Sequence, residues 1–176
     1  MSIGKIFEAA KEVHASRSGE EARRKQTAQE FNNAAAPVMA LAAKLKEAAE
    51  GALVIDIYDH ENEASIFIKA YAYTGKHTSA NLNIVMKSEK LFFTGADHFS
   101  MTIHPYDRVN LRKRSLNLLA SPENQRYWKP SYTGRIDENT AAREIGEFLG
   151  RVLKPAQVAM IEVKARAATD AAKPGL

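Results

Sequence analysis

The feature that most constrains this chain is a change of hydrophobic period at Ala52, from about 3.6 residues to 2. Behind that point, up to Pro105, apolar residues alternate along five candidate strands: Leu53–Tyr58, Ala64–Thr74, Ala80–Lys87, Leu91–Thr94 and His98–His104. The joints at Asp59–Asn62, Thr74–Lys76, Ser88–Lys90 and Gly95–Asp97 carry turn-forming residues and are too short for parallel crossovers, so neighbouring strands should be antiparallel. Alternation sorts the two faces of such a meander. Leu53, Ile55, Ile57, Ile66, Ile68, Ala70, Leu82, Ile84, Met86, Phe99, Met101 and Ile103 form one apolar face. The other is mixed, with Asp56, Tyr58, Phe67, Lys69, Tyr71, Tyr73, Asn81, Asn83, Lys87, Ser100, Thr102 and His104.

Ahead of Ala52 the period is helical. Ile3, Ile6, Phe7, Ala10 and Val13 make one stripe of a helix over about 3–15; Ser18 with Glu21 is a capping-box pattern that would start a second helix over about 19–50, ended by Gly51. Phe31, Ala34, Val38, Leu41, Leu45 and Ala48 step by 3 and 4 like a short heptad seam, either covering the chain's own sheet or offering a homo-oligomer contact over 31–48. Pro37 falls inside it and should bend the helix or start a new one. After the meander, a helix over about 138–154 would pack on the sheet through Ile145, Phe148, Leu149, Val152 and Leu153, with Pro155 stopping it. Alternation over 158–166 suggests a last strand, and 129–134 reads as a loop.

The expected fold class is therefore α+β: N-terminal helices, an antiparallel β-meander over about 52–105 and a C-terminal helix. It divides into a helical layer or arm over 1–50, an α+β domain over 51–166 continuous with it, and a flexible tail over 167–176, one domain overall. The 176 residues suffice for this, since a chain of that length buries roughly two thirds of its unfolded surface. The absence of cysteine removes disulfides, thiolate nucleophiles and Cys-type metal sites, and fits a reducing cytoplasm. With no apolar run near the ~20 residues a bilayer requires, the expectation is a soluble, cytoplasmic protein with no membrane partner.

Catalytic signatures do not emerge. His98 and His104 share a strand face beside Asp97 but stand about 20 Å apart, too far to share one metal. His60 and His77 fall in turns, as do the carboxylates Asp59, Glu61 and Glu63 that follow Asp56. Glycine-rich phosphate loops and nucleophilic serine motifs are missing, so neither a cofactor nor an enzymatic activity is expected. Charge points elsewhere. Residues 106–135 carry 7 basic and 2 acidic side chains, a local +5 in a chain of net +4. Within it Arg112, Lys113 and Arg114 precede Arg126, Tyr127, Trp128, Lys129, Tyr132 and Arg135. Arg, Tyr and Trp are the residues most enriched at interface hot spots, so the leading expectation is a non-catalytic binding or accessory protein that docks this segment on an acidic partner protein. The same mixture of cations and flat rings would also suit single-stranded or distorted nucleic acid, with Tyr58, Phe67, Lys69, Tyr71 and Tyr73 on the sheet as a second surface. An enzyme whose site is assembled from scattered residues is the remaining alternative.

Overall fold

The computed structural model describes residues 3–72, 78–107 and 130–171, with side chains described over 5–70, 80–105 and 130–171. Its elements are α1 (Ile3–Ala48), β1 (Leu53–His60), β2 (Glu63–Ala72), β3 (Thr78–Lys90), β4 (Asp97–Asp107), β5 (Tyr132–Gly134), α2 (Glu138–Val152) and α3 (Pro155–Ala171). The strands form one antiparallel sheet in the order β1-β2-β3-β4-β5. The α+β meander is thus the architecture of the chain, with helices before and after it.

Register places the apolar residues in rows across the sheet. Ile57, Ile66, Ile84, Ile103 and Tyr132 are successive partners, and Ile55, Ile68 and Leu82 form the row beside them. The helices cover this face: Phe31, Ala35, Val38 and Ala42 of α1 join Ala141, Ile145, Phe148 and Leu149 of α2 and Ile161 of α3 in a single buried core with the strands. Phe31 meets Phe99 edge-on, ring centres 5.8 Å apart.

Several local expectations are corrected. α1 is one helix of 46 residues, and the Ser18 and Glu21 capping pattern lies unused within it. Serine and glycine in a helix interior cost at most about 1 kcal/mol each, which a long helix absorbs. Pro37 also lies inside α1, on its exposed side. The seam over 31–48 is consumed by the chain's own core, so it is not the surface for a second copy: Phe31 and Val38 are fully buried, Ala48 nearly so, and Leu41 and Leu45 pack beside them. Leu91–Thr94 is a turn rather than a strand. Leu91 N–H donates to Ala96 O at 2.9 Å and Gly95 N–H to Leu91 O at 2.8 Å, and Gly95 takes φ +62°, a left-handed conformation that favours glycine.

The C-terminal region differs more. Tyr132–Gly134, expected as loop, pairs with Met101–Ile103 as β5. The stretch 158–166, expected as a strand, lies within α3. Pro155 ends α2 but also opens α3 as its first residue, where a missing N–H costs nothing. Lys154 N–H donates to Gln157 Oε1 at 2.9 Å, half of a capping box. The alternation over 158–166 is short and alanine-rich, and as a helix it buries Ile161 with Ala165 one turn on. α3 runs to Ala171, so the first part of the expected tail is helical; 172–176 lie outside the described residues. Among the described helices none is long and apolar enough to cross a membrane.

Candidate binding surface

With the helices on one face, the other face of the sheet carries no buried side chain among the described residues. Its rows follow from the same register. Asp56, Phe67, Asn83 and His104 are successive partners across β1 to β4. Val54, Lys69 and Asn81 make the next row, and Tyr58, Ser65, Val85, Thr102 and Thr133 the row on the other side. The result is a mostly polar surface, interrupted by Val54 and Val85, around one half-buried ring, Phe67, with Tyr58 standing 53% exposed on the edge strand β1. At one end Lys87 and Glu63 form an ion pair at 3.5 Å with both side chains well exposed, an interaction of little energetic weight. Asn81 Oδ1 is buried without a hydrogen-bond donor among the described residues. Such a group costs about 1–3 kcal/mol when left unsatisfied.

The basic segment joins this surface at its two ends. It leaves β4 at Asp107, beside Ala80, and returns at Tyr132, beside Ile103, so both attachments are to the β4 side of the sheet. Arg112, Lys113, Arg114, Arg126, Tyr127, Trp128 and Lys129 lie outside the described residues, as does Tyr73; Tyr71 is placed in β2 by its backbone. The structure brings Tyr58, Phe67 and Lys69 onto one face, as alternation predicts.

Tyr132 turns the other way. It lies on the core side, opposite Ile103, and its hydroxyl donates to the Arg135 carbonyl at 2.8 Å. It is therefore an anchor of β5 rather than an outward-facing contact. Gly134 permits the arrangement, because a Cβ there would stand 2.6 Å from the Tyr132 hydroxyl. Ser131 adds to the anchor by donating its N–H to Ile103 O at 2.8 Å. Arg135 is exposed.

Two polar groups of α2 are fixed by local contacts. Glu144 is buried in the core-facing stripe of α2, with Arg143 Nη2 at 3.3 Å as its ion-pair partner. Its place at Ala141 plus three and Phe148 minus four was the available signal. Asp137 caps α2, accepting from Thr140 N–H at 2.8 Å and Thr140 Oγ1 at 2.6 Å. Those two bonds from Thr140, hydroxyl first and amide second, hold the Asp137 carboxyl below the usual carboxylate range against an opposing desolvation, with lesser help from the Asn139 amide and the Arg135 charge. Both groups serve the helix and the core. Among the described residues no three His, Asp or Glu side chains gather as metal ligands would. No family model, no curated protein and no solved structure matches this chain.

Proposed function

We propose that the protein is a non-catalytic binding or accessory protein of the cytoplasm that docks on an acidic partner protein. The basic and aromatic segment over 106–135 supplies charge complementarity, and the polar sheet face from Asp56 to His104 supplies a second contact surface. One observation supports this reading above the others: the helices bury one face of the sheet, while the other, flanked by both attachments of the +5 segment, carries no buried side chain among the described residues. Cations at such a surface steer an acidic partner, and a desolvated ring supplies affinity. Trp128, Tyr127 and the arginines are the candidates for that role, with Tyr58, Phe67 and Lys69 on the sheet.

The test compares wild type with Trp128→Ala, and with Arg112→Glu combined with Arg114→Glu, in affinity capture from cell extract followed by binding measurements on the captured protein. Loss of the same acidic protein in both variants, at unchanged circular dichroism, is the expected result. Parallel titration with labelled single- and double-stranded oligonucleotides decides the nucleic-acid reading. Binding that weakens steeply with salt and disappears in the double charge reversal would replace the protein partner by nucleic acid.

A further inference from the structure

The N-terminal half of α1 buries no side chain among the described residues. Every side chain from Lys5 to Gln26 is exposed, and packing begins only at Thr27 and Phe31, so a rod of about 36 Å projects past the sheet. Its outer part is nevertheless amphipathic. Val13 precedes Phe31 by 18 residues, about five turns, and Ile6 precedes it by 25, about seven, so both project from the line of the helix that packs on the sheet further along. Phe7 flanks them, and all three are at least half exposed.

A second apolar patch stands beside the root of this arm. Thr27 Oγ1 donates to Asp97 Oδ2 at 2.7 Å, tying α1 to the foot of the β3–β4 turn. At the tip of that turn Phe92 and Phe93 are 94% and 96% exposed, touching each other edge-on at 5.4 Å. Between the two patches, residues 16–26 contain no apolar side chain larger than Ala22, so the arm is held straight by no packing of its own. Val13 and Thr27 are about 21 Å apart along the rigid helix, and one chain cannot bring its own patches together.

We propose that the arm is a self-association element. In a two-fold symmetric dimer the arms run antiparallel, and Ile6, Phe7 and Val13 of each copy cover Phe92 and Phe93 of the other. A second copy is the occupant because a two-fold axis covers both patches twice with one operation. The covered side chains account for roughly 700 Å² per copy, close to the ~800 Å² per partner of a specific interface. This pairing is independent of the basic segment and of the docking function proposed above.

Sedimentation velocity of the full chain over a dilution series should show a monomer–dimer equilibrium; a monomer at every concentration overturns the proposal. Ile6→Glu with Val13→Glu, and separately Phe92→Ser with Phe93→Ser, should each weaken dimerisation by about tenfold or more, with unchanged thermal unfolding of the diluted monomer. A dimer indifferent to either pair also overturns it. Because the chain is cysteine-free, introduced thiols report geometry directly. Under mild oxidation Ser16→Cys should cross-link to itself, and Phe7→Cys should cross-link to Phe92→Cys in a mixture of the two variants. Cross-linking of Phe7→Cys to itself in place of Phe92→Cys would mean tip-to-tip arms and reject the antiparallel arrangement.

Discussion

At the scale of single residues, the buried carboxylate of Glu144 is the clearest departure from the rule that core stripes are apolar. Its partner Arg143 is largely exposed, so replacing Glu144 strands no buried charge. Glu144→Leu should therefore raise stability by about 1 kcal/mol, as removal of a desolvated charge does when shape is kept. Chemical denaturation measures this, and a loss of stability would assign Glu144 a partner of its own in the core. Asp137 behaves differently because its charge is used. With its folded pKa lowered by Thr140, its contribution is complete above the ordinary carboxylate value of about 4 and is lost as pH falls through the lower folded value. The stability gap between wild type and Asp137→Asn should accordingly be present at neutral pH and close under acid. A helix start near Asp137 and the core spacing of Glu144 are legible in the sequence; the bonds from Thr140 and the burial of the Glu144 carboxylate are not, because each depends on what the neighbouring side chain does in space.

At the scale of elements, α1 and β5 carry the lessons. Gly19 sits in the arm, and a Cβ there would meet nothing. Gly19→Ala should increase helical content at high dilution by favouring the helix by up to about 1 kcal/mol locally, while the melting temperature of the core stays unchanged, since the arm and the core unfold separately. Coupled changes in both would show that the arm packs within the monomer. Gly134→Ala should do the opposite. The added methyl displaces the Tyr132 ring and its bond to the Arg135 carbonyl, and a loss of about 1–3 kcal/mol is expected in denaturant unfolding. The period change at Ala52 made the meander legible because alternation over several strands has one interpretation. The alternation over 158–166 did not, because a short alanine-rich run satisfies both periods until Ile161 finds its place in the core.

At the scale of the whole molecule, the chain is a compact α+β unit with an arm. Removal of residues 1–25 should leave the melting temperature of the domain within a degree or so of wild type, whereas Phe31→Ala should cost about 3–5 kcal/mol, because packing starts between those positions. Differential scanning calorimetry of the two variants checks the boundary. Legible in the sequence alone were the class of the fold, the antiparallel meander, the assignment of the apolar residues of β1 to β4 to the core face, and the concentration of positive charge in 106–135. These are local properties of period, turn chemistry and composition. Only the tertiary structure decided that the 31–48 seam packs on the chain's own sheet, that Tyr132 faces the core, that the C-terminal alternation is helical, and that Phe92 and Phe93 stand bare beside the root of the arm. In each case the deciding term is burial against residues distant in the chain, a quantity that no window of sequence contains.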